Sequence, residues 1–121
     1  DLGLFRKDVE QVIVAMIEEG YLNEERFAIA YAGGKFRVKQ WGKVKIRLAL
    51  KQKRVSEYCI KKALAQISEK EYESTLQKVI ATQSRKISEK NILKKNYKLA
   101  QYAIGRGFEP EMVWEQLKHI F

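Results

Sequence analysis

Four apolar positions recur three times along this chain with the same internal spacing. Leu4, Val9, Ile13 and Met16 are matched by Val55, Ile60, Leu64 and Ile67 at a lag of 51, and those by Phe108, Val113, Leu117 and Ile120 at a lag of 53. Steps of three to five residues put each set on one helical face. A near-constant lag of this size fits a repeated unit of about three helices joined by short connections. The pattern predicts an all-α protein of tandem three-helix repeat units forming an elongated helical array.

Local signals agree with helices. The chain of 121 residues holds one proline and seven glycines. Leu4, Val9, Val12, Ile13, Met16 and Ile17 form a first stripe, which Gly20 is expected to stop. Asn23 then has the chemistry to cap a second helix, with Glu24 and Glu25 in its first turn. Phe27, Ala30 and Tyr31 would be that helix's apolar face, and Gly33-Gly34 would weaken its end. Ser68 and Glu71 stand at capping-box spacing ahead of Tyr72, Leu76, Val79 and Ile80. Ser88 is the expected start of the next helix, which Gly105 and Gly107 end, and Pro110 suits the first turn of the last.

One segment is ambiguous. From Lys43 to Lys51 the residues read K-V-K-I-R-L-A-L-K, an alternation that suits a half-buried strand. No other segment offers a partner strand, and a lone strand leaves backbone groups unpaired. Ile46 and Leu50 also align with Leu99 and Ala103 at the repeat lag of 53, where the alternation is absent. Residues 41–53 are therefore read as a helix, with a strand as the alternative. At 100° per residue, Lys43, Arg47, Lys51 and Arg54 share one narrow sector. Ile46 and Leu50 flank it on one side and Val44 and Leu48 on the other, so the helix would be gripped from both sides with a basic ridge left wet. Phe27, Trp41, Ile46, Leu50, Ile60 and Leu64 are the expected core.

The charge is concentrated. Between Lys35 and Lys62 there are eleven Lys and Arg against the single acid Glu57, while the whole chain carries a net charge of +9. A second basic group, Arg85, Lys86, Lys90, Lys94, Lys95 and Lys98, occupies the matching part of the next repeat. Lysine and arginine rows on helix faces neutralise phosphates and release counterions, giving salt-sensitive binding. Trp41 and Tyr31 offer rings on which bases can stack, although Trp41 better suits a wedge between helices. Solvation of a helix exterior is the plain alternative for the lysines.

Other functions lack parts. His119 is the only histidine, too few for a histidine zinc site, and it suits a helix C-terminus. A single cysteine, Cys59, excludes an internal disulfide framework and suits packing against Ile60 or Leu64. G-R-G at 105–107 and G-G-K at 33–35 lack the spacing of a phosphate loop. No enzyme, cofactor or metal site is expected. The absence of a long apolar run or a signal-peptide pattern points to a cytoplasmic protein.

The runs G-Y-L-N-E-E-R-F-A at 20–28, W-G-K-V-K-I-R-L-A-L at 41–50 and R-G-F-E-P-E-M-V at 106–113 resemble the bacterial RecX regulatory proteins, which modulate the recombinase RecA. The resemblance spans essentially the whole chain. It implies a frame in which residues 1–20 hold the last helix of a first unit shortened at its N-terminus. Residues 21–67 would be a second three-helix unit and 68–121 a third. Gly33-Gly34 departs from the family, which more often carries bulkier or basic residues there. The resemblance further implies a non-enzymatic regulator that binds the RecA filament on single-stranded DNA and modulates, commonly by inhibition, its extension, recombinase activity and ATP turnover; a monomer is expected. Arg37, Lys39, Lys43, Arg47, Lys51 and Arg54 would carry the contact, to DNA or to recombinase. A generic basic helical DNA-binding module without recombinase contact is the competing reading.

Overall fold

The structure, a computed structural model, describes the backbone of residues 2–120 and the side chains of residues 11, 15, 18–20 and 22–119. The first copy of the apolar repeat, Leu4 to Met16, falls outside the described side chains. Among the described residues there are six helices and no strand: α1 Leu2–Arg37, α2 Lys43–Gln52, α3 Glu57–Ala65, α4 Glu69–Lys86, α5 Ile92–Gly105 and α6 Pro110–Ile120. The segment with alternating apolar residues is α2, a helix.

The remaining copies of the repeat behave as expected. Val55, Ile60, Leu64 and Ile67 are buried on and around α3, and Phe108, Val113 and Leu117 on and around α6. Ile46 and Leu50 of α2 are buried like their counterparts Leu99 and Ala103 of α5. The backbone repeats too. Arg54 and Gly107 stand at the same point of the repeat, and both have positive φ, 62° and 103°. In each case the next residue bonds back five positions, Val55 N to Leu50 O at 3.1 Å and Phe108 N to Ala103 O at 3.2 Å. This is a left-handed helix stop, made once with glycine and once with arginine.

Two helix boundaries differ from expectation. α1 runs 36 residues without a break through Gly20, Asn23 and Gly33-Gly34. An interior glycine costs only about 1 kcal/mol relative to alanine. Good helix formers on both sides outweigh it, so Gly20 is no stop and Asn23 no cap. The cap of α5 is Asn91, whose side chain accepts from Lys94 N at 3.2 Å, rather than Ser88. Ser68 does cap α4, accepting from Glu71 N at 3.0 Å, and Pro110 opens α6.

Helices α1, α2 and α3 pack as one group, and α4, α5 and α6 as another. α1 buries Ala28, Ala32 and Phe36, not Phe27, which is 45% exposed. Alanines let the backbones of α1 and α3 approach closely, and Ala63 on α3 is buried as well. The larger ring therefore falls beside the contact. Where the two groups meet, Phe36, Tyr72 and Phe108 lie in line, with ring centroids 5.7 and 5.2 Å apart.

The meeting point of the groups also supplies the cap that α2 lacks. Gly42, its N-cap, has no side chain to accept a bond. The first amides of a helix still need acceptors. Gly42 N donates to Arg106 O at 2.8 Å and Val44 N to Gly107 O at 2.9 Å. Lys43 N donates to the Tyr72 hydroxyl at 2.8 Å, and that hydroxyl donates to Glu109. Thus the W-G and R-G-F motifs are partners. A Cβ on Gly42 would lie 2.2 Å from Gly107 backbone atoms, and one on Gly107 2.4 Å from Lys45 Cβ. Only glycines permit this approach.

Candidate polyanion-binding surface

The described structure brings three of the six expected residues into a row along α2. Lys43 and Arg47 are half-buried and Lys51 is exposed. Lys43 lies over the Tyr72 ring, its ammonium 4.8 Å from the centroid. Arg47 donates to the Glu57 carboxylate at the start of α3, and Lys51 Nζ stands 3.9 Å from the same group. The Arg47 hydrogen bond holds the Glu57 carboxyl below the usual range, with further lowering from the charges of Arg47, Lys51 and Lys61. The row therefore carries its own internal acid.

The other three lie off the row. α2 ends at Gln52, so Arg54 falls beyond the helix, in the left-handed stop that precedes α3. Arg37 ends α1 and pairs with Glu71 at 3.5 Å. Lys39 is exposed in the turn that follows. Its carbonyl, like that of Gln40, accepts from the Arg106 guanidinium, which ties this turn to the end of α5.

The grip on α2 is one-sided. Ile46 and Leu50 are buried, but Val44 and Leu48 are 43% and 56% exposed, contrary to the expected burial on both flanks. Neither Val44 nor Leu48 is among the side chains packed on the core.

A second cluster assembles on the same part of the chain. Trp41, half-buried against the core, lies between two ammonium groups, Lys35 at 4.9 Å and Lys45 at 4.4 Å from its ring. Tyr31 lies beneath Lys35 and Lys53, at 5.4 and 5.5 Å, and its ring centroid is 5.8 Å from that of Phe27. Aromatic rings interleaved with cations form a platform of the kind single-stranded nucleic acid uses, ring to base and ammonium to phosphate. The sequence offered a signal for it, since Tyr31/Lys35 and Trp41/Lys45 are each four residues apart on a helix or its approach. The expected site residues include none of these lysines.

No group of three or more His, Cys, Asp or Glu side chains that could hold a metal occurs among the described residues. Cys59 is buried, and His119 bonds Glu115 at 2.9 Å on the last turns of α6. No helix among the described residues is long and apolar enough to cross a membrane.

Known proteins share this sequence pattern. Residues 23–64, which hold the second half of α1, α2 and most of α3, match the family model described as RecX, second three-helix domain. The protein named Regulatory protein RecX from Clostridium acetobutylicum is 29% identical over 119 residues, which is 95% of this chain and 55% of the relative. The chain thus spans about half the length of the curated relative it matches. No solved structure matches it. The segment that carries both basic clusters is thus similar to the second three-helix domain of RecX, and nearly the whole chain is similar to a RecX protein.

Proposed function

We propose that this chain is a regulator that binds the RecA recombinase filament on single-stranded DNA and inhibits its extension, recombinase activity and ATP turnover by occupying filament surface, without chemistry of its own. The observation that carries this reading is the concentration of cations on α2 and its flanks, inside the segment that matches the RecX domain. Lys43, Arg47 and Lys51 form the central contact, with Arg37, Lys39 and Arg54 at its margins. Residues 21–67 and 68–121 act as two consecutive three-helix units. A stack of such units suits a filament, because each unit can touch a successive protomer and weak contacts multiply.

The test is a double charge reversal, Arg47→Glu with Lys51→Glu. The expected result is loss of binding to RecA-coated single strands and recovery of RecA ATP turnover, with the helical circular dichroism unchanged. Unaltered filament binding by a folded variant sinks the assignment.

The aromatic–lysine platform around Trp41 favours a second reading, a basic helical module that binds single-stranded DNA directly and makes no recombinase contact. That reading wins if the chain binds bare single strands as tightly as coated ones and leaves RecA ATP turnover untouched. Indifference of all binding to salt would instead reduce the lysines to a solubility role.

A further inference from the structure

The basic row on α2 does not stand alone. Next to it opens a groove of about 380 Å³ between α2, α3 and the start of α6. Val44, Leu64 and Ala65 give it an aliphatic lining, and Lys43, Arg47 and Lys61 stand at its edges. The one acid in the lining, Glu109, is engaged by the Tyr72 hydroxyl. Three cations against one acid leave the groove positive. Val44 is still 43% exposed, and Leu48, one turn on along α2, is 56% exposed.

This mixture selects among polyanions. A nucleic acid strand presents phosphates and flat bases, and it gains from cations and aromatic rings. The residues that line the groove include no aromatic ring. Aliphatic walls between cations suit a peptide that brings carboxylates together with a large apolar side chain. The volume is at the lower end of what small-ligand pockets offer, enough for one such side chain. Glu57 already marks where a partner carboxylate would sit, held by Arg47 with Lys51 at 3.9 Å. It is an intramolecular stand-in that an incoming acid can replace.

We infer that the α2–α3 groove is a docking site for an acidic peptide segment. One large apolar side chain of that segment inserts against Val44, Leu64 and Ala65, and carboxylates on either side engage Lys43, Arg47 and Lys61. The inference rests on the reading of α2 as a contact surface and deepens it, assigning this face to protein rather than to nucleic acid.

The experiment measures fluorescence anisotropy of short labelled probes on the full chain, with no recombinase present. One probe is an Asp/Glu peptide with a single central Phe, the second has Ser in place of that Phe, and the third is oligothymidylate of equal charge. The Phe peptide is expected to bind about tenfold more tightly than the Ser peptide, the effect of one buried apolar side chain. Lys61→Glu should weaken the Phe peptide about tenfold, the scale of a like-charge contact at an interface. Ala65→Phe fills the groove without changing charge, and should abolish the preference for Phe while leaving oligothymidylate binding as it was. Both positions are exposed, and circular dichroism verifies folding. Equal binding of the Phe and Ser peptides overturns the proposal. So does oligothymidylate that competes for the groove and loses affinity equally in Ala65→Phe. Because RecA is absent, the outcome is independent of the regulatory reading: peptide binding with unchanged RecA ATP turnover defeats that reading and leaves the groove standing.

Discussion

Replacing Gly42 with alanine adds one methyl group at the joint between the two helix groups. Gly42 has φ −76° and ψ 166°, backbone that any residue adopts, so the cost comes from packing alone. The new Cβ would sit 2.2 Å from the Gly107 carbonyl carbon and oxygen and from Phe108 N. All three atoms are backbone and none can swing aside. Reaching ordinary contact requires a separation of more than about 1 Å. The bonds Gly42 N to Arg106 O and Val44 N to Gly107 O, at 2.8 and 2.9 Å, cross the same contact and do not survive such a shift. Overpacking costs about 1–3 kcal/mol, and two lost hydrogen bonds add about 1 kcal/mol each. The expected loss is about 3–5 kcal/mol, a large part of the roughly 5–15 kcal/mol available to a domain. Gly34→Ala is the control of opposite sign. It lies inside α1, where an added Cβ meets nothing within 4 Å, and should stabilise by about 0.5–1 kcal/mol. Urea unfolding followed by circular dichroism and tryptophan fluorescence measures both. A Gly42→Ala loss below about 1 kcal/mol would refute the close approach as described.

Four further outcomes follow from Tyr72 and Glu57. Tyr72→Phe leaves the Lys43 amide without its acceptor and Glu109 without its donor, and should cost about 1–3 kcal/mol in the same denaturation assay. Burial, then the Glu109 hydrogen bond, raises the Tyr72 pKa above its ordinary 10.0. Its contribution is therefore complete below about pH 10 and lost as pH rises further; chemical denaturation at stepped alkaline pH should show this slope in the parent and not in Tyr72→Phe. Glu57→Gln frees Arg47 and Lys51 and should tighten binding to RecA-coated single strands with a steeper salt dependence; weaker binding would mean that Glu57 orients the row rather than masking it. In the parent, the lowered Glu57 pKa makes its contribution present above 4.5 and lost as pH falls through the folded value, so acid should act on binding in the same direction as Glu57→Gln.

Much of the fold can be read from residue spacing because its cause is local or periodic. Ser68 caps α4 with its own third neighbour, Pro110 opens α6, and the apolar phase of α3 and α6 follows from their shared steps. Failures arise where a choice is settled by something outside the local window. Gly20 reads as a stop, yet strong helix formers continue on both sides and the helix goes through. Ser88 and Asn91 are both good caps, and the chain takes the later one because Ile87, the C-cap of α4, is extended and carries the connection past Ser88. Phe27 looks like a better anchor than Ala28, but the close approach of α1 to α3 favours the small residue.

The basic surface shows the same division in sharper form. A helical wheel gives the direction of each side chain on α2 but not what stands opposite. It correctly groups Lys43, Arg47 and Lys51, and it has no means of knowing that Val44 and Leu48 are left uncovered. Counting charges likewise finds the excess between Lys35 and Lys62 but not its pairing, in which one acid, Glu57, holds Arg47 while standing near Lys51 and Lys61. W-G and R-G-F each look like local turn signals. Their purpose is tertiary: the Tyr72 hydroxyl and the Arg106 and Gly107 carbonyls are the acceptors that Gly42, Lys43 and Val44 cannot find in their own sequence. The start of the basic helix is thus fixed by the following helix group. A defect at Gly107 should therefore disturb Lys43 and its neighbours on α2, though these belong to the other helix group.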